Sequence, residues 1–203
     1  MQIISDKAQQ SGKHVIKERW WVENGVGVLY HPLPCGDYIL VDDKVNELLE
    51  RKAKRGIEPK KMDFIGTYNK VVDTKRDIQE LIGDICGKQH ARFRDECLLA
   101  QNNGIQLYIL VENRDRIKET RDLFGWQNPR MHRYNKIRYM HRMGKWADIA
   151  EPKAPPTSGE TLAKACLTME LTYKVKFLFC TPEESAKRVI ELLTEGTNNV
   201  TNG

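Results

Sequence analysis

Between Gly104 and Glu112 the chain runs Ile-Gln-Leu-Tyr-Ile-Leu-Val, residues 105–111, almost without a polar break. Seven residues are too few for an ordinary helix, and a strand with one wet face would alternate apolar and polar positions. The run therefore reads as a strand buried on both faces, which demands strands beside it and helices on either side of the sheet. Residues 175–180 form a second such strand, and Val71-Val72 leads a third over 70–75. Shorter strands are expected over 2–5, 26–30 and 38–41.

Helical periodicity fills the gaps. Ile78, Leu81, Ile82 and Ile85 recur at i, i+3, i+4 and i+7. Phe93, Cys97 and Ala100 continue the spacing in another helix, which Gly104 closes. Residues 14–23 read as a helix stopped by Asn24-Gly25, and Val45, Leu48 and Leu49 mark a short amphipathic one. A capping box of Thr157 and Glu160 opens a helix with Leu162, Ala165, Cys166, Met169 and Tyr173 on one face. Thr181-Pro182-Glu183-Glu184 opens the last, in which Val189, Ile190 and Leu193 face inward before Gly196. Strands alternating with helices make the class α/β, with a mixed central sheet flanked by helices. The 203 residues suit one domain over 1–196, with a polar, disordered tail over 197–203.

The net charge of +5 is unevenly spread. Residues 130–145 hold six Lys/Arg and no acid, and residues 51–61 hold six against one Glu, so the remainder is acidic. A basic surface beside an acidic remainder fits a nucleic-acid ligand. Within the first window Arg130, Arg133, Lys136, Arg138 and Arg142 interleave with Tyr134 and Tyr139, so that cations meet phosphates and aromatics stack on unpaired bases. Five cysteines, none spaced CxxC, and a start without a charged-then-apolar segment point to reduced thiols and a cytoplasmic protein with no membrane partner. Cys86 and Cys97 belong to apolar helix faces, and with His90 they lack a fourth zinc ligand.

Acidic residues end three of the expected strands: Asp6, Asp37 and Asp73. Lys75 stands two positions after Asp73 and so shares its face of the strand. Carboxylate oxygens suit Mg²⁺ or Mn²⁺, which polarises a phosphodiester and acidifies water, while a lysine stabilises the charge that develops. An Asp, a gap of some 35 residues and Asp-x-Lys form the PD-(D/E)XK outline, weak when taken alone.

The surrounding residues add to it. Leu33-Pro34-Cys35-Gly36-Asp37-Tyr38 and Val71-Val72-Asp73-Thr74-Lys75 resemble the "LPxGDY" and "VVERK" elements of XPF-like structure-specific nucleases. Arg92-Phe93 with Glu96, and an apolar strand ending in Glu112, resemble the next helix and strand of that family. The resemblance runs from about Ile3 to Leu193, with insertions at about 45–64 and 113–156, and is nearest to compact phage or bacterial members. It implies a restriction-endonuclease-like fold and hydrolysis of branched, flap or junction DNA in recombination, repair or phage DNA processing. It also implies Asp37, Asp73 and Lys75 as catalytic residues, a metal on Asp6, Asp37 and Asp73, Arg92 on a phosphate, and a homodimer through the last helices. The sequence departs from the family at Asp73 for Glu, at Thr74 for Arg, and at Ala8 and Gln9, where Arg and Glu are usual. No helix-hairpin-helix domain is expected within the 203 residues, so the basic segments must supply the grip on DNA. The competing expectation is a non-catalytic DNA-binding or partner-regulating module that retains the fold.

Overall fold

The computed structural model describes residues 1–7 and 15–196. The departures at Ala8 and Gln9, the expected helix residue His14 and the tail over 197–203 lie outside them. Among the described residues six strands form one sheet: β1 (Gln2–Asp6), β2 (Gly27–His31), β3 (Tyr38–Leu40), β4 (Lys70–Lys75), β5 (Gln106–Glu112) and β6 (Lys176–Cys180). Their order is β2-β1-β3-β4-β5-β6, parallel except where β3 runs against β1 and β4. The expected α/β class and mixed sheet are those observed.

Alternation along β4 divides the side chains between two cores. Val71 points to a layer formed by α2 (Asp43–Ala53), α3 (Ile78–Ile85), α4 (His90–Asn102) and α6 (Gly159–Tyr173). Val72 points to the opposite layer, formed by α1 (Val15–Glu23) and α7 (Ser185–Thr194). β5 alternates in the same way, with Ile109 in the first core and Leu110 in the second, which is why its sequence is apolar from Leu107 to Val111. Leu162, Met169, Val189 and Leu193 are buried in these cores, so the chain's own packing accounts for the residues an interface between copies would otherwise draw on.

Local boundaries shift where side chains cap differently. Ser158, not Thr157, caps α6, its hydroxyl accepting from Thr161 N. Glu184 folds back to accept from Thr181 N and Oγ1, and α7 begins only at Ser185. Cys86 ends α3 on the surface instead of in the core.

Both expected insertions carry core residues. Val45, Leu48 and Phe64 are buried in the first. Ile117, Leu123 and Trp126 are buried in the second, around a 3₁₀ turn over Thr120–Gly125. The next helix, α5 (Arg130–Arg142), is a separate feature and contributes no buried residue. No described helix is long and apolar enough to cross a membrane.

Candidate active site

Backbone pairing brings three acidic residues to one end of the sheet. Asp6 N donates to Asp37 O at 2.8 Å, and Asp37 N donates to Val72 O at 2.9 Å. The antiparallel pairing of Tyr38 with Val72 continues one step to set Asp37 opposite Asp73. Gly36 makes the turn before it with φ +64°, a conformation open to glycine at little cost. A cavity of about 770 Å³ opens over this strand end, and Asp6, Asp37, Asp73, Lys75, Arg92 and Glu96 all line it.

Each carboxylate has a different environment. Asp37 Oδ2 accepts from both Thr74 N (2.8 Å) and Thr74 Oγ1 (2.6 Å), so the threonine that replaces the family's arginine fixes this side chain. Asp6 Oδ1 accepts from Leu33 N at 2.9 Å and holds the loop after β2. Asp73 is 5% exposed, with Oδ2 2.7 Å from Lys75 Nζ. The Lys75 ammonium is the partner this buried oxygen has. Burial above all, with help from Asp37 and Glu96, raises the Asp73 carboxyl well above the usual range despite Lys75.

Lys75 lies between two carboxylates, 2.7 Å from Asp73 and 2.8 Å from Asp84 Oδ2 on α3, over the Phe93 ring. Burial disfavours its charge, but the two acids outweigh that and hold it protonated. Asp84 also faces Arg92 Nη2 at 3.7 Å. Glu96, on α4, accepts from Gly36 N at 2.6 Å, and burial raises its carboxyl, with Asp37 adding to the effect.

Asp84 and Glu96 were not among the expected site residues, although the sequence holds a signal for each. Asp84 sits three residues after Leu81, at an inward position of an otherwise apolar helix face, and Glu96 directly precedes the core residue Cys97. Lys17, on α1, was also missed; it pairs with Glu112 at the end of β5, and Ser185 Oγ donates to the same carboxylate at 2.8 Å. Lys17 and Glu112 line the far wall of the cavity.

Arg92 stands at the cavity rim, whereas Arg133, Lys136, Arg138 and Arg142 lie along α5 and do not enter the cavity. Arg130, the first residue of α5, lines an adjoining depression of about 550 Å³ together with Arg76 and Arg92.

The carboxylates fit a divalent ion by their chemistry. Asp37, Asp73 and Glu96 offer hard oxygen donors, and Asp37 adds to the raised proton affinity of both Asp73 and Glu96, a crowding of negative charge that a cation would relieve. No three His, Cys, Asp or Glu side chains among the described residues already surround one ion-sized point. Mg²⁺ does not require that, since it commonly binds through one or two carboxylates and keeps several waters.

The ERCC4 domain profile matches residues 9–193 of the sequence. The chain belongs to the ERCC4 domain family. The resemblance to XPF-like nuclease domains is thereby borne out in family, and solved structures bear it out in fold. XPF from Aeropyrum pernix superposes with a TM-score of 0.52 at 16% identity, over 98% of this chain and 66% of that one. The same protein, solved as a complex with DNA, gives 0.50 at 16% identity, over 100% and 68%. This ERCC4 chain thus spans about two thirds of that protein's length. No curated protein matches the sequence.

Proposed function

We propose that this ERCC4 chain is a metal-dependent DNA endonuclease that hydrolyses phosphodiester bonds in branched, flap or junction DNA during recombination, repair or phage DNA processing. The observation that carries the reading is Lys75, buried between Asp73 and Asp84 on a cavity wall shared with Asp37 and Glu96. A buried ammonium costs several kcal/mol to desolvate, on the order expected for any buried ion, and its place on the wall of the cavity gives that cost a purpose.

Asp37 and Asp73 would hold Mg²⁺ or Mn²⁺, with Glu96 as the third carboxylate and Asp6 reaching it through water. The ion supplies Lewis acidity, polarising the phosphodiester and acidifying a nearby water. Thr74 keeps Asp37 in one rotamer, and Gly36 N does the same for Glu96, so the donors are set before substrate arrives. Lys75 remains cationic and stabilises negative charge on the nucleophile and the phosphorane-like transition state. Arg92 at the rim contacts a phosphate, and the basic residues of α5 hold DNA beyond it. The presence of XPF among the structural neighbours, in one case with DNA, supports this reading.

The deciding experiment incubates the protein with flap, fork and four-way-junction DNA in Mg²⁺, Mn²⁺ or EDTA. Asp73→Asn and Lys75→Ala are tested in parallel, with circular dichroism to show that they fold. Cutting should require the metal and fall by about 100-fold or more in each variant. Tight binding without metal-dependent cutting by the wild type would establish the non-catalytic module instead. Cutting that survives both substitutions would place the active site elsewhere.

A further inference from the structure

The root of α5 is unusually well anchored for a helix that buries nothing. Asn128 is 4% exposed. Its Oδ1 accepts from Arg130 N at 3.0 Å and from Gln79 Nε2 of α3 at 3.0 Å, and its Nδ2 donates to Thr157 O at 2.9 Å. One side chain therefore ties together the start of the arm, its return and the helix that carries Asp84. Past the root, the returning segment packs on α5 itself. His141 Nε2 lies 2.5 Å from Ile149 O, Arg138 pairs with Glu151 at 3.3 Å, and Lys136 Nζ lies 5.5 Å from the Trp146 ring centroid. The result is a self-supporting arm fixed beside the active-site cavity, with no part in either core.

Its surface chemistry is one-sided. Arg130, Arg133, Arg142 and Lys145 make no ion pair among the described residues, and the helix carries no acid. Tyr139 is 58% exposed, and its neighbours three residues back and ahead are Lys136 and Arg142. Arg76 and Arg92 line both the active-site cavity and the depression that ends at Arg130, beside Glu80 and Asp84 with which they pair, so exposed arginines mark the path from the cavity to the arm. An exposed aromatic ring flanked by cations suits a polyanion whose bases are free to stack. Duplex DNA offers the phosphates but keeps its bases within the stack.

We propose that α5 is a single-strand-binding arm. Resting on the nuclease reading above, it takes the unpaired DNA strand that leaves the active site past Arg76, Arg92 and Arg130, with Tyr139 stacked on one of its bases. The test needs no cutting. Fluorescence anisotropy in EDTA measures the affinity for a 20-nucleotide oligothymidine and for a blunt duplex, across a salt series. Tyr139→Ala should weaken oligothymidine binding by about 5- to 100-fold and leave duplex binding unchanged, while Tyr139→Phe restores it. Arg130→Gln/Arg133→Gln/Arg142→Gln should reduce the slope of log affinity against log salt by about 2 for the single strand. Unchanged oligothymidine affinity in Tyr139→Ala, or equal losses on duplex and single strand, would overturn the proposal. Because metal is absent throughout, that failure is separate from any failure of the protein to cut.

Discussion

Gly36 offers a quantitative test of how this site is built. It adopts φ +64°, and a Cβ placed there would stand 2.3 Å from Val71 Cγ2 and 3.4 Å from Val71 Cβ and Cγ1. Val71 is fully buried two residues before Asp73, so it has no free direction in which to retreat. Gly36→Ala therefore incurs two penalties. The left-handed backbone costs a non-glycine residue about 1–2 kcal/mol, and overpacking a closed core costs about 1–3 kcal/mol more. Together they predict a loss of about 2–5 kcal/mol from a domain stability on the order of 5–15 kcal/mol. Urea unfolding in EDTA at neutral pH measures the loss without metal linkage. Gly25→Ala serves as the control: its φ is +67°, but no atom lies within 4 Å of the added Cβ, so only the backbone penalty of about 1–2 kcal/mol should appear. Combining Gly36→Ala with Val71→Ala should recover part of the difference, as a coupling of about 0.5–3 kcal/mol. Equal losses at Gly25 and Gly36, or strict additivity with Val71→Ala, would refute the argument that close packing positions Asp37.

The same geometry sets further outcomes. Asp84→Asn removes one of the two carboxylates holding Lys75. It should lower stability by about 1.5–3 kcal/mol and slow metal-dependent cutting, while anisotropy in EDTA shows DNA affinity little changed. The folded-state affinities of Asp73 and Glu96 for protons are raised, first by burial. The stability they contribute is thus complete below the unfolded values near pH 4 and is lost as pH rises through the folded ones. In EDTA, the urea midpoint of Asp73→Asn should accordingly gain on the wild type as pH rises above about 4, and a difference that stays constant with pH would contradict this. Adding Mg²⁺ at neutral pH should raise the wild-type midpoint and leave that of Asp73→Asn unmoved; at 100 times the dissociation constant the gain is about 2.7 kcal/mol. Gly159→Ala places a Cβ 2.2 Å from Leu123 O and 2.3 Å from Trp126 O, and should lower the thermal midpoint by separating α6 from the 3₁₀ turn.

What could be read in advance, and what could not, divides along a physical line. Strand ends declare themselves locally: Val71-Val72 must emerge from the core at Asp73, and alternation then sets Lys75 on the same face. The pairing of Asp37 with Asp73 is less local, because it depends on an antiparallel contact between strands more than 30 residues apart; spacing offers only a weak outline of it, and resemblance to a family adds the rest. Asp84, Glu96 and Lys17 reach the site from three different helices, and only the packed layers bring them together. The arm is the hardest case. Met131, Tyr134, Ile137 and Met140 form a half-buried stripe at threefold spacing, but none of it enters either core, so it yields no core signal. In the segment that leads into it, by contrast, Ile117, Leu123 and Trp126 belong to the main core.

The division of charge gains a physical rationale from this arrangement. A cavity lined by Asp37, Asp73 and Glu96, with Asp84 close behind, repels a phosphate backbone, and a buried Lys75 shared between two acids cannot attract one from a distance. Attraction has to come from cations that the acids do not neutralise. Lys61 at the cavity rim and Arg130 at the start of the arm make no ion pair among the described residues, while Arg76 and Arg92 between them are exposed but share their charge with Asp77, Glu80 and Asp84. DNA would then be held at the rim first and brought over the carboxylates only where a divalent ion offsets their charge. That order of events predicts a rim-governed, salt-sensitive affinity in EDTA and a metal requirement confined to the cutting step.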